Sequence, residues 1–428
     1  MVPCASFLRH GRYEQHFQLE LVGSSERRAL RNHAECTPVP IQPGRETESP
    51  AVEPSPALVG ALRRRLPEMV EALEALVLSE SPSADLEACE SCASIAEGLA
   101  FQIVGRSGER VIADGRTHLR WRFGQQTRVL LVGHLDTVWP IGTAARWPFS
   151  VDGDRATGPG IFDMKAGVVQ LLFALALVGE RRGLDGVTVV LTTDEEIGSP
   201  TSRGLLAEEA SGARAALIAE PSFDGALKTE RKGVAHYRLE TLGRAAHAGL
   251  NPERGINAAL EVARQVLELA ELAEPSSGTT VTPSLISAGT AANTVPASAV
   301  ARFDVRFATR EEGERIAAAF AAVRPTVPGA TTRVEQETFV PPLERSSSRE
   351  LFELAKRLHD ELGLPPLREA SVGGGSDGNH IAALGVPTLD GLGAVGDHAH
   401  GEGEFVVVSA MAERAALLAA LVSELLSA

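Results

Sequence analysis

Three short, almost entirely apolar segments separated by helical patterns constrain this chain more than any other feature. They cover residues 129–132, 187–191 and 215–219, and a helical apolar pattern over 166–177 stands between the first two. Strands that are apolar on both faces and alternate with helices are typical of a largely parallel sheet covered on both sides. The sequence therefore predicts an α/β fold whose ligands bind beyond the carboxyl ends of the strands.

A different order of elements begins near residue 231. The pattern there predicts strand, helix, two strands, helix and strand, over 234–241, 256–272, 281–287, 299–307, 311–323 and 331–337. This βαββαβ order is that of a ferredoxin-like unit. We therefore expect a second domain inserted into the first.

The expected domain organisation follows from this insertion. Residues 58–230 and 340–428 form the catalytic domain, with a first helix over 58–78 and a last helix near 405–426, and 231–339 form the inserted lid or dimerisation domain. Residues 1–57 carry six prolines near their end and no clear periodicity, so we expect a flexible extension there.

The composition argues against several partners and locations. A formal net charge of -15 repels phosphate backbones, and the short basic run at 63–65 does not reverse this, so no nucleic-acid partner is expected. No apolar run approaches the roughly 20 residues that span a bilayer, so no membrane association is expected.

Four cysteines make no disulfide framework, which favours a cytoplasmic location. Cys89 and Cys92 lack a second pair at zinc-finger spacing and fit a helix face instead.

Polar side chains follow each of the three apolar strands. His134 and Asp136 follow the first, Glu195 and Glu196 the second, and Glu220 the third. Each of these residues alone is more simply a hydrogen-bonded surface group, but their coincidence at one sheet edge favours a metal site. In such a site the carboxylate of Asp136 would hold the second ring nitrogen of His134. One glutamate of the adjacent pair could ligate a metal while the other takes a proton from water.

Five motifs then identify a family. They are HLDTVWP at 134–140, GPGIFDMKAG at 158–167, TTDEEIGS at 192–199, GRAAHAG at 243–249 and GGGSDGN at 373–379. In this order, over about residues 58–428, they resemble the M20 metallopeptidases, and most of all the glutamate carboxypeptidase branch of that family. The resemblance implies a zinc-peptidase-like catalytic domain with an inserted lid, which agrees with the order of elements.

The resemblance also implies a pair of divalent metal ions. One ion is expected on His134 and Glu220, the other on Glu196 and His400, with Asp163 bridging both. Zn²⁺ is the expected metal, and the same oxygen and imidazole ligands also suit Co²⁺ or Mn²⁺.

Further roles follow from the same resemblance. Glu195 becomes the general base that activates the attacking water. His398 competes with His400 for the last ligand position, and HGEGEFV at 400–406 favours His400 because it is similar to the family's His-x-x-x-Glu-aromatic-Val ending. The peptide bond between Asp163 and Met164 is expected to be cis.

Lid residues are expected to contact the substrate. His247 resembles the lid histidine that reaches the oxyanion, and it could do so across a dimer interface. Asn293 and Arg306 match positions that hold a substrate carboxylate, a task that suits a planar guanidinium. The simpler alternatives are an exposed loop histidine and a strand arginine paired with Asp304.

The glycine-rich loop at 373–378 is expected to border the substrate through Gly374 and Ser376. It lacks the lysine of a phosphate-binding GxxxxGK[ST] loop, so no nucleotide site is expected. Backbone amides in such a loop can approach a carboxylate closely because glycine has no side chain.

The expected activity is hydrolysis of an amide or peptide bond beside a free carboxylate, releasing a C-terminal amino acid such as glutamate. The alternative with identical metals is an N-acyl-amino-acid deacylase of the acetylornithine deacetylase or succinyl-diaminopimelate desuccinylase type. A non-catalytic scaffold would lack a ligand or the base, and this sequence has the full set. The expected partners are a small peptide or N-acyl amino acid and a second copy bound through the inserted domain.

Overall fold

The structure is a computed structural model that describes residues 53–427, so almost all of the extension expected at 1–57 lies outside the described residues. The helices are α1 (Pro56–Arg63), α2 (Leu66–Leu78), α3 (Leu86–Val104), α4 (Thr143–Arg146), α5 (Ala166–Arg182), α6 (Arg203–Ala210), α7 (Ala258–Ala270), α8 (Arg310–Ala321), α9 (Arg345–Glu361), α10 (Asp377–Ala383) and α11 (Val408–Ser427). A π-helical turn covers Ile161–Lys165, and a 3-10 turn covers Glu195–Ile197.

The strands fall into one large sheet, a lid sheet and several short pairings. They are β1 (Glu109–Ala113), β2 (Arg116–Phe123), β3 (Val129–His134), β4 (Ser150–Asp152), β5 (Arg155–Thr157), β6 (Val187–Thr192), β7 (Ala215–Ile218), β8 (Leu227–Arg231), β9 (Gly233–Leu242), β10 (Ala246–His247), β11 (Thr280–Ala288), β12 (Thr294–Val295), β13 (Ser298–Phe307), β14 (Thr331–Val340), β15 (Glu369–Val372), β16 (Thr388–Leu389), β17 (Gly396–Asp397) and β18 (Phe405–Val407).

A six-stranded sheet forms the centre of the catalytic domain. Its order is β1-β2-β6-β3-β7-β16, in which β6, β3, β7 and β16 run parallel and β1 and β2 form an antiparallel edge. Every residue of β3, β6 and β7 is buried, because helices cover both faces. The α/β fold predicted from the three apolar runs is confirmed.

Helix α5 covers this sheet and is itself a core element. Ile161–Arg182 contains an 18-residue window that is long and apolar enough to cross a membrane, with a mean hydropathy of 1.9, so the expectation that no such run exists is wrong. Because 94% of that window is buried inside the protein, its apolar character belongs to the core.

The inserted domain carries a separate antiparallel sheet in the order β11-β13-β9-β14, with α7 and α8 in its βαββαβ sequence of elements. Its core includes Tyr237, which stacks on Phe320 with ring centroids 4.0 Å apart, and Phe303, which meets the same ring edge-on. The sheet begins at Gly233 and ends at Val340.

Two predicted helices differ from the structure at their ends. The single helix expected over 58–78 is two helices that meet at Arg64 and Arg65, since Pro67 in the first turn of α2 has no N–H to continue the earlier helix. The last helix begins at Val408, because 405–407 form a strand that pairs with β5.

Candidate metal centre

The first group of metal-type donors lies at the carboxyl ends of β3 and β7. His134 ends β3, and its Nε2 atom lies 3.1 Å from Asp163 Oδ1 and 3.5 Å from Glu220 Oε1. His134 and Glu220 are both buried. The parallel strands thus bring together side chains that lie far apart in the sequence.

The second group contains Glu196 and His400 and shares Asp163 with the first. His400 Nε2 lies 3.0 Å from Glu196 Oε2 and 3.4 Å from Asp163 Oδ2. One oxygen of Asp163 therefore faces His134 and the other faces His400, which is the arrangement expected of a bridging carboxylate. His398 belongs to neither group, although it lines the adjacent cavity.

Asp136 contacts the second ring nitrogen of His134 mainly through its backbone carbonyl. The Nδ1 atom of His134 lies 2.9 Å from the backbone carbonyl of Asp136 and 3.6 Å from its carboxylate. The carboxylate instead accepts hydrogen bonds from the backbone N–H groups of Glu195 and Glu196, at 3.2 Å each, and from Ser83 Oγ at 2.6 Å. Asp136 therefore fixes the turn that carries the two glutamates, a role that the sequence did not indicate.

The loop that carries Asp163 is held by a buried carboxylate. The peptide bond between Asp163 and Met164 is cis, as the family resemblance implied. Glu404 is fully buried beside it. Its oxygens accept hydrogen bonds of 2.7–2.9 Å from the backbone amides of Gly160, Phe162 and Asp163 and from the indole of Trp139.

Burial, neighbouring charges and hydrogen bonds shift the pKa values of the acids in the cluster. Burial raises the pKa of Glu195 well above its usual value, and the charge of Glu220 raises it further. Burial raises the pKa of Glu196 to about 7, against the opposing hydrogen bond from His400. For Asp163, hydrogen bonds from both imidazoles of the cluster outweigh burial and lower the pKa.

The donor set fits two divalent cations. In each group the candidate ligand atoms lie within 4.8 Å of one another, and Asp163 belongs to both groups. Carboxylate and imidazole donors suit Zn²⁺, Co²⁺ and Mn²⁺. The two groups together contain three carboxylates, whose negative charge bound cations would balance.

A cavity of about 760 Å³ opens beside the cluster. Glu195 lines it without belonging to either donor group, 3.9 Å from His134 Nε2. Lys228 and Arg231, both on β8, line it as well, and sequence reasoning missed both. Their signal in the sequence is that a lysine and an arginine occur on one buried strand. Lysine and arginine are rarely buried without a partner, so such a pair indicates nearby acids or a bound anion.

The predicted substrate residues of the lid lie away from the cluster. His247 and Asn293 are exposed, on β10 and directly before β12, and they lie outside the set of described residues that lines the cavity. His247 Nδ1 accepts hydrogen bonds from the backbone amides of Gly249 and Leu250. Both substrate roles stay predictions that require a movement of the lid or a second chain.

Arg306 and the glycine-rich loop meet at the lid boundary. Arg306 forms a bidentate pair with Asp304, the simpler of the two arrangements foreseen, and its Nη1 donates to the carbonyl of Gly373 at 3.3 Å. Gly374 lines the cavity. The hydroxyl of Ser376 instead donates to Asp390 at 2.6 Å and caps α10, so a substrate contact from Ser376 stays a prediction.

An α/β domain with acid and imidazole donors at its strand ends, joined to a separate antiparallel domain, has the architecture of a metal-dependent hydrolase. The sequence profile of Peptidase family M20/M25/M40 matches residues 130–424, and the chain belongs to this family. It is an M20 hydrolase.

Individual relatives agree with this assignment. Carboxypeptidase G2 of Pseudomonas sp. (strain RS-16) is 32% identical over 373 residues, 84% of this chain and 89% of that protein. Succinyl-diaminopimelate desuccinylase of Rhodospirillum centenum is 28% identical over 357 residues, 78% of this chain and 91% of the relative. A solved dinuclear metal-binding M20 peptidase of Bacillus subtilis shares the fold, with a TM-score of 0.57 and 16% identity over 86% of this chain and 99% of that one.

Proposed function

We propose that this protein is a two-metal carboxypeptidase that hydrolyses an amide bond beside a free carboxylate and releases a C-terminal acidic amino acid, with glutamate as the expected product. The observation that carries the choice of an acidic residue is Lys228. Its side chain is about nine-tenths buried, and its ammonium lies 3.9 Å from Glu220 without a hydrogen bond to any of residues 53–427. A cation so placed in the cavity is available to a substrate carboxylate.

The chain's own residues provide proton transfer and binding. Two divalent cations held by the donor groups would polarise the scissile carbonyl and lower the pKa of water. Glu195 accepts the proton of the attacking water and returns it to the nitrogen of the departing amine. Asp136 keeps Glu195 in place through its backbone amide.

A substrate panel with a fixed acyl group tests the product. N-benzoyl-glutamate, N-benzoyl-glutamine and N-benzoyl-alanine differ only in the released amino acid. Because a hydrogen bond to a charged group contributes about 1.5–3 kcal/mol, we expect Lys228→Met to lower kcat/KM for the glutamate substrate by about 10- to 100-fold and to change the glutamine substrate little.

The control for that panel is Lys232→Met, the next lysine along the chain, whose ammonium donates to Gly278 O on the lid. It should leave the preference unchanged. Equal hydrolysis of all three substrates by the wild type would contradict the proposed substrate. A Lys228→Met variant that keeps the glutamate preference would contradict the role of Lys228.

The second candidate is an N-acyl-amino-acid deacylase, which the similarity to a desuccinylase over 78% of this chain favours. In that reaction Lys228 would meet the carboxylate of a succinyl group. N-acetylornithine and N-succinyl-diaminopimelate, added to the panel, separate the two candidates. Faster hydrolysis of either compound than of N-benzoyl-glutamate selects the deacylase.

We propose Zn²⁺ as the native metal. Imidazole and carboxylate donors accept Co²⁺ and Mn²⁺ as well, so the ligands alone do not select it. Elemental analysis of protein purified without added metal identifies the ion. Two equivalents of manganese in place of zinc would show that Mn²⁺ is the native metal. The proposed ligand residues would stay the same.

We also propose a homodimer through the inserted domain. On α7, Leu260 and Leu267 are 53% and 71% exposed, and on the neighbouring edge strand β11, Leu285 and Ile286 are 49% and 55% exposed. Apolar side chains beside an open strand edge form a surface that a second copy can cover.

Sedimentation measures this association directly. Ile286→Lys should convert the dimer to a monomer, whereas Leu242→Lys, at an exposed position on the central strand β9, should stay dimeric. A wild-type monomer at micromolar concentration would contradict the proposal.

A further inference from the structure

Arg231 stands where the chain crosses from the catalytic domain into the lid. It ends β8, and the first lid strand begins two residues later at Gly233. The chain returns after Val340, and the backbone of Leu343 exchanges two hydrogen bonds with the backbone of Arg231, at 2.9 and 3.0 Å. Arg231 therefore joins the outgoing segment, residues 231–233, to the returning segment, residues 340–343. We call these two segments the crossing.

The guanidinium of the same residue holds a predicted metal ligand. Its Nη2 donates to Glu220 Oε2 at 2.8 Å, and Nε and Nη2 form a bidentate pair with Asp390 at 2.8 and 3.0 Å. Nη1 donates to the carbonyls of Gly374 and Gly375 at 3.2 and 3.1 Å. All five N–H donors are thereby used, in a side chain that is 4% exposed.

The glycine loop connects this network to the lid a second time. Arg306 of the lid donates to the carbonyl of Gly373, next to the two carbonyls that Arg231 binds. The crossing and the loop are thus both attached to one rigid guanidinium, whose other contacts are Glu220 and Asp390. A bidentate guanidinium fixes the direction of its hydrogen bonds as well as their length. A displacement of the crossing therefore also displaces the guanidinium group that holds Glu220.

We propose that Arg231 is a positioning residue that couples the lid to the metal centre, by holding Glu220 from the residue at which the chain enters the lid. Coupling is reciprocal, so loading the centre should stiffen the crossing, and loosening the crossing should weaken metal binding. The proposal rests on the two-metal function above, but neither property requires a substrate.

The first measurement is hydrogen exchange of the amides at 231–233 and 340–343, with and without zinc, on the full chain. We expect slower exchange with zinc in the wild type. In Arg231→Lys, which keeps the charge but loses the fork, this difference should disappear, and competition with a chelator should show zinc affinity about 10- to 100-fold weaker. A merely structural role would lower thermal stability without removing the zinc-dependent difference.

The matched control is Arg345→Lys, an exposed arginine just beyond the crossing that pairs with Glu369, and it should behave as the wild type. If Arg231→Lys does not fold, Asp390→Asn loosens the guanidinium from its other side and should give the same two effects. Wild-type protein that binds zinc without any change in exchange contradicts the coupling alone. Wild-type protein that binds neither zinc nor any other divalent metal ion contradicts the two-metal function and the coupling together.

Discussion

Glu195 and Glu196 are neighbours with different surroundings, and the proposed mechanism depends on that difference. Glu196 belongs to a donor group with Asp163 and His400, whereas Glu195 lines the cavity outside both groups. Glu195→Gln keeps the shape and removes the base, so kcat should fall by at least about 10²- to 10⁴-fold. Metal analysis of the same preparation should show the wild-type metal content.

Glu196→Gln is the matched control for this variant, since it makes the same change one residue later. It should lose metal as well as turnover, because it removes a charged ligand from the second group. If Glu195→Gln kept its activity, the general base would have to be another residue.

The sequence identified metal-type donors because most of them follow an apolar strand, and strand ends of a parallel sheet meet at one edge. His400 and Asp163 came from the family resemblance, since both lie on loops without such a signal. Lys228 and Arg231 were missed, because their strand β8 pairs with β15, far along the chain, and no local pattern predicts which buried cation meets which acid.

Helix α5 packs closely against the backbone that leads to the metal ligand Glu220. A Cβ atom on Gly167 would lie 2.0 Å from the backbone oxygen of Ala219, directly before Glu220, whereas a Cβ atom on Gly179 of the same helix would meet Leu184 at an ordinary 3.5 Å. Overpacking costs about 1–3 kcal/mol, and alanine in place of glycine in a helix gains about 0.4–1 kcal/mol. Gly167→Ala should therefore destabilise the protein and weaken its zinc binding.

Gly179→Ala is the matched control. It should raise the free energy of unfolding, whereas Gly167→Ala lowers it, and it should leave zinc affinity unchanged. Chemical denaturation measures both free energies of unfolding. Equal stability changes in the two variants would show that the backbone near Ala219 yields easily and that the close approach does not constrain Glu220.

Among the elements, long periodic ones were predictable and short ones were not. The buried strands and the βαββαβ order follow from apolar patterns, but the two-residue strands β10 and β12 have no periodicity to read. The break between α1 and α2 shows that a single proline can divide an otherwise continuous helical pattern.

For the whole molecule, the metal centre should contribute to stability by mass action. The donors come from segments that unfolding separates, so the unfolded chain has no equivalent site. Zinc at about 100 times its dissociation constant should then raise the free energy of unfolding by about 2.7 kcal/mol per site. Thermal unfolding at a series of zinc concentrations measures this shift.

Asp163→Asn should reduce the stabilisation by zinc, because Asp163 serves both groups. Asp360→Asn, at an exposed position on α9, should keep the wild-type stabilisation. If Asp163→Asn kept the full wild-type shift, the two groups would not share this carboxylate.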